Sequence, residues 1–140
     1  MSPDEINEYL ATQFPHLESV LFVESVDECG IRVQLPFHDR FLRPGGTISG
    51  PSIMLLADTT AYATLLVERA DSAHAVTSSL HINFIRRAEP GDLTGIGRLR
   101  KRGRRLSLVN VVVQDQVGRV VAEASVTYAM AEPTKDPIPS

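Results

Sequence analysis

The chain has 140 residues, a length that suits one domain around one core. Hydrophobic residues make up 43% and charged residues 22%, the balance of a globular protein rather than a disordered one. A net charge of -3 gives no bulk attraction to nucleic acid or an anionic membrane, and the one cysteine, Cys29, cannot close an internal disulfide.

The acidic, polar segment Met1–Leu10 is unlike a signal peptide, and the longest apolar stretch is broken by Asp58, Thr59 and Thr60. A cytoplasmic protein is the expectation. Residues 3–14 read as a short helix. Ser2 can cap it, Pro3 suits its first position, and Ile6, Tyr9, Leu10 and Phe14 form one apolar face. A strand follows around Val20–Val26, then a turn at Asp27–Gly30. Ile31, Val33, Leu35 and Phe37 alternate with Arg32, Gln34 and Pro36, the pattern of a half-buried strand. His38–Gly46 reads as a loop.

Residues 50–69 give the clearest helix. Ser49 or Gly50 can cap it, and Pro51 suits its start. Its body is apolar on nearly every side, which predicts burial. Four strands are predicted after it: Val76–Ile85, Leu93–Arg100, Leu106–Gln114 and a last one through Val120–Met130. In the first of these, Val76, Leu80, Ile82 and Phe84 take one parity, and Thr77, Ser79, His81 and Asn83 the other. Turns are expected at Glu89–Asp92, Lys101–Arg104 and Asp115–Gly118. The segment 1–18 is assigned as an N-terminal helical region and 131–140 as a flexible tail.

The order is therefore α-β-β-α followed by a four-strand meander. An antiparallel sheet needs a cover for its apolar face, and the central helix is the available one. This predicts an α+β hot-dog fold, an antiparallel sheet wrapped around a long central helix. Helices 50–69 of two subunits would sit back to back.

Asp58 stands about two turns into a helix with no other charge until Glu68. Burying an unpaired carboxylate is costly, so it needs donors, an arginine partner or a chemical reason to be there. One reading is architectural, with Asp58 bonded to Thr59 or Thr77. The other is catalytic. Gly45–Pro51 leads into the helix N-terminus, where free N–H groups and the positive dipole end gather. Gly50 could donate to an oxyanion there, and a carboxylate nearby could attack a thioester or activate water.

Ser49–Thr59 resembles the motif of the PaaI-like hot-dog thioesterases, in which a His-Gly-Gly turn opens the central helix and an Asp follows on it. Val76–Arg87, Gly103–Val109 and Asp115–Ala122 resemble the family's later strands, so the likeness covers roughly residues 20–130. The resemblance implies an acyl-CoA thioesterase, self-associated as a homodimer or homotetramer, with no cofactor beyond the CoA of its substrate and no metal. It implies Asp58 as nucleophile or general base and Gly50 as the donor that polarises the carbonyl. Thr77, from the partner subunit, would help position water.

Ser49 stands where the family usually has His, and Pro51 replaces the second Gly. Proline has no N–H to donate. Arg43 occupies a loop position where many relatives carry Asn or Gln. Ser49, Pro51 and Arg43 are thus expected in the substrate site. Arg86, Arg87, Arg102 and Arg104 are candidates for the CoA phosphates, since guanidinium forks match phosphate oxygens. Two other classes stay open: a non-catalytic acyl-CoA binder, and a hot-dog hydratase or dehydratase. The latter needs a His paired with a carboxylate, and no His follows Asp58 on its helix.

Overall fold

The computed structural model describes residues 1–69 and 71–131. Helix α1 spans Pro3–Gln13 and opens on a capping box. The Ser2 hydroxyl accepts from the Glu5 N–H at 3.2 Å, and the Glu5 carboxylate accepts from the Ser2 N–H at 3.3 Å. A short 3-10 helix, Pro15–Leu17, follows. The strands are β1 (Phe22–Asp27), β2 (Gly30–Leu35), β3 (Val76–Phe84), β4 (Leu93–Arg102), β5 (Leu106–Gln114) and β6 (Val120–Ala129). Helix α2 runs from Gly50 to Glu68 between β2 and β3. The expected tail over 131–140 lies outside the described residues except for Ala131.

All six strands form one antiparallel sheet in the order β1-β2-β4-β5-β6-β3. The hot-dog expectation holds: the sheet packs along α2. The four-strand meander does not. Only β4, β5 and β6 run as neighbours, while β3 pairs with β6 at the far edge and the chain then crosses to β4 beside β2. Turn signals mark where strands end; they do not say which edge a strand joins.

Leu56, Ala57, Ala61 and Leu65 of α2 are buried against Val33 and Leu35, Leu93, and Val109, Val111 and Val113. Each fully buried Val or Leu contributes about 1.5–3 kcal/mol. The helix comes close because β4 presents Gly95 and Gly97 beneath it. A methyl group at either position would overlap the hydroxyl of Thr60 or Thr64.

Burial on every side of α2 does not hold. Pro51 and Met54 are exposed and Leu55, Asp58 and Tyr62 half-buried, a stripe at helical spacing that faces away from the sheet. Parallel to it, β3 is an exposed edge, with Val76 and Phe84 both more than half open to solvent.

The register sets two ends. At one, which we call the hairpin end, Val76 and Leu106 both flank Ala129, next to the β4–β5 hairpin. At the other, the loop end, Phe84 pairs with Ala122 and Gln114 with Thr94. Helix α2 starts at the loop end, where Gly50 lies under Phe84. It finishes at the hairpin end, where Arg69 donates to the Gly103 carbonyl and, at 3.1 Å, to the Ser107 hydroxyl.

Candidate active site

The helix entry is built by the loop before it. Gly45 and Gly46 take positive φ values of 105° and 84°, which favour glycine, and close a tight turn. In that turn the Arg43 N–H donates to the Thr47 carbonyl and the Gly46 N–H to the Arg43 carbonyl. The Ile48 N–H donates to the Ala88 carbonyl, which ties the loop to the segment after β3. Ser49 is the N-cap of α2. Its hydroxyl accepts from the Ser52 N–H at 3.3 Å and lies 2.7 Å from the Ser52 hydroxyl.

One donor is left over. Pro51 has no N–H, the Ser52 N–H is taken by the Ser49 side chain, and the Ile53 N–H donates to the Ser49 carbonyl. The Gly50 N–H has no acceptor among the described residues. The two departures, Ser49 and Pro51, thus single out Gly50 as the free amide of the first turn.

Asp58 sits eight residues further on, about 12 Å along the axis. Its Oδ1 accepts from the Thr77 hydroxyl and from the Tyr128 hydroxyl, each at 3.0 Å. The Tyr128 hydroxyl also lies 3.0 Å from the Asp58 backbone carbonyl. Oδ2 takes no hydrogen bond and Asp58 no ion pair among the described residues. The carboxylate is half-buried and borders a cavity of about 320 Å³ whose walls include Phe14, Leu55, Tyr62 and Ala75. Burial, reinforced by the negative Asp58, pushes the Tyr128 hydroxyl well above the ordinary tyrosine range, so it stays a donor at neutral pH.

Thr77 requires two corrections. Parity put it on the polar face of β3 with Ser79, but the β3–β6 register slips between Thr77 and Ser79. That bulge turns Thr77 to the face shared by Leu80 and Ile82, the face toward α2. It also reaches the Asp58 of its own chain, so it need not come from a partner subunit. Tyr128 was missed altogether. Its signal was present, since Ala122, Ala124, Val126 and Tyr128 share the buried parity of β6 and a buried tyrosine hydroxyl needs a partner.

The arginines do not gather around one point of the chain. Arg43, Arg86 and Arg87 are exposed at the loop end, near Ser49, Gly50 and Pro51. Arg102 and Arg104 are exposed at the hairpin end, with Asp58 and Thr77. The length of β3, about 26 Å, lies between the groups. One chain therefore cannot bring all four CoA-phosphate candidates onto one phosphate cluster.

A long helix lying along an antiparallel sheet, with a carboxylate on its third turn and a free amide at its start, defines a hot-dog-type scaffold. The sequence profile of the thioesterase superfamily matches residues 45–122, and the chain belongs to that family. A solved thioesterase, so named provisionally, from Silicibacter sp. TM1040 is 34% identical with a TM-score of 0.85, over 94% of this chain and 93% of that one. A Streptococcus mutans UA159 protein solved with acetyl-CoA bound is 25% identical with a TM-score of 0.71, over 79% and 88%. The E. coli PaaI protein, at 18% identity and TM-score 0.78 over 94% and 97%, shares the fold. A Saccharolobus solfataricus protein provisionally named an esterase is 30% identical over 66% of this chain, a match that spans 65% of that relative's length. No helix among the described residues is long and apolar enough to cross a membrane.

Proposed function

We propose that the protein hydrolyses an acyl-CoA thioester to a free acid and CoA. The observation that carries this reading is the Asp58 carboxylate at the cavity wall, with Oδ1 fixed by two hydroxyl donors and Oδ2 uncommitted. Here Oδ2 is available to take a proton from water or to attack the carbonyl carbon. The resulting oxyanion accepts from the Gly50 N–H, and its collapse breaks the C–S bond. In the base route the proton held on Asp58 passes to the sulfur and CoA leaves as its thiol; in the nucleophile route the thiolate takes a proton from solvent, and water then cleaves the acyl–Asp58 anhydride to release the acid. The acetyl-CoA held by the S. mutans relative supports a CoA thioester as substrate.

The 12 Å between Gly50 and Asp58 exceeds the span of one thioester, so each centre draws Asp58 and Thr77 from one subunit and Gly50 from another. A two-fold arrangement with antiparallel α2 helices brings the hairpin end of one chain to the loop end of its partner. The apolar stripe of α2 and the open β3 edge supply its contact surface. It also joins Arg86 and Arg87 of one subunit to Arg102 and Arg104 of the other around one centre.

The test is thiol release from a panel of acyl-CoAs, with Asp58→Asn and Asp58→Ala as controls. Release that both changes abolish supports the hydrolase. CoA binding without release would replace it by a non-catalytic binder, and water addition to an enoyl-CoA by a hydratase.

A further inference from the structure

The cavity beside Asp58 is walled partly by residues outside the family match. Leu10 lies in α1, Leu17 ends the 3-10 helix and Phe14 is the cap residue between them, whereas the superfamily profile covers residues 45–122. This N-terminal segment is held in place at two points. The Asn7 side chain donates to the Val23 carbonyl at 2.9 Å and accepts from the Val23 N–H at 2.7 Å, docking α1 on β1. The Tyr9 hydroxyl lies 3.4 Å from that of Tyr62, which in turn donates to the Ala73 carbonyl at 2.9 Å. Phe14 stands edge-on to Tyr62, ring centres 5.5 Å apart at 81°. Tyr62 lies one turn beyond Asp58 on α2, on the same face.

We infer that Phe14, backed by Leu10 and Leu17, ends the acyl pocket and sets the length of acyl group accepted. This inference rests on the hydrolase reading for its substrate. Among the described residues no Lys or Arg lines the cavity, its one carboxylate is Asp58, and its one imidazole, His16, is exposed to solvent. An acyl group carrying its own carboxylate would meet the Asp58 charge with only the solvent-exposed His16 to offset it, so the pocket favours neutral, apolar acyl groups. A volume of about 320 Å³ is at the small end for ligand sites. At about 30 Å³ per water-sized group it holds on the order of ten non-hydrogen atoms.

The experiment measures kcat/KM for straight-chain acyl-CoAs from acetyl to palmitoyl, with succinyl-CoA alongside, in wild type, Phe14→Ala and Phe14→Trp. Phe14 is only half-buried, which favours folding of both variants. The expected result is a wild-type optimum at medium length, shifted to longer chains by Phe14→Ala and to shorter ones by Phe14→Trp. The long-to-short rate ratio should change at least tenfold between the two variants, and succinyl-CoA should be poor throughout. Equal scaling of all chain lengths, with thiol release persisting, would overturn the inference and leave the hydrolase reading intact. Dissociation constants of the same acyl-CoAs for the same three proteins separate the two ideas. A Phe14-dependent length preference in binding, with no turnover in wild type, would support the pocket while sinking the hydrolase; no such preference would sink the pocket.

Discussion

The Tyr128 hydroxyl lies 3.0 Å from both the Oδ1 and the backbone carbonyl of Asp58. It spans side chain and main chain of one residue, and so fixes the rotamer in which Oδ1 is bonded and Oδ2 is left without a donor among the described residues. Tyr128→Phe keeps the ring in its buried place and removes only the donor. Hydrogen bonds to charged groups contribute about 1.5–3 kcal/mol. The expected outcome is a kcat about ten- to a hundredfold lower with KM little changed, read from steady-state thiol release. Loss in KM alone would show that Tyr128 does not orient the carboxylate.

Gly50 offers a paired test of its amide. An added Cβ would meet the Phe84 ring at 3.5 Å, an ordinary contact, so Gly50→Ala should keep near-normal turnover. Gly50→Pro removes the N–H at a helix position that tolerates proline. It should lower kcat by about a hundred- to a thousandfold, the cost of losing one oxyanion donor. Equal activity of the two variants would exclude that amide from the reaction.

Gly97 tests the helix-to-sheet spacing. A methyl there overlaps the Thr64 hydroxyl, which donates to the Thr60 carbonyl at 2.7 Å, so something must move. Gly97→Ala should destabilise by about 1–3 kcal/mol, seen as a lower midpoint in urea with an unchanged slope. Gly118 is the contrasting control for space: nothing lies within 4 Å of its added Cβ, although its φ of 86° still disfavours a side chain.

Alkaline pH should act through Tyr128. Burial, then the nearby Asp58 charge, raises its ionisation above the ordinary value of 10.0. The folded state therefore holds this proton more tightly than the unfolded chain. Its contribution to stability is complete below about pH 10 and is lost as pH rises above that, because unfolding then releases a proton. Thermal midpoints measured across the alkaline range should fall less steeply in Tyr128→Phe than in wild type. Tyr62, raised first by burial and then by its bond to Tyr9, adds to the same trend and remains in the variant.

Local order was legible because local rules govern it. Ser2 and Pro3 announce the start of α1, Ser49 and Pro51 that of α2, and the alternation from Ala122 to Tyr128 marks β6 and its inward face. Asp58 stood out because a charge amid apolar residues needs a partner. The partners themselves were harder to read. The bulge beyond Thr77 leaves no mark in the residue types, so parity misplaced the side chain. The edge position of β3 depends on a crossover, and crossovers are not encoded in turn residues. The arginine clusters look alike along the chain yet stand at opposite ends of the sheet, a distance that only the assembled register reveals.

The placing of Gly50 and Asp58 at opposite stations of one helix has a genetic consequence. On the two-subunit reading, a protomer lacking the carboxylate and a protomer lacking the amide are each inert with their own kind. Mixed together as heterodimers, they would rebuild one intact centre and one doubly damaged centre. Co-expressing Asp58→Asn with Gly50→Pro should then restore thiol release to about half the wild-type level per heterodimer, from two parents that show almost none.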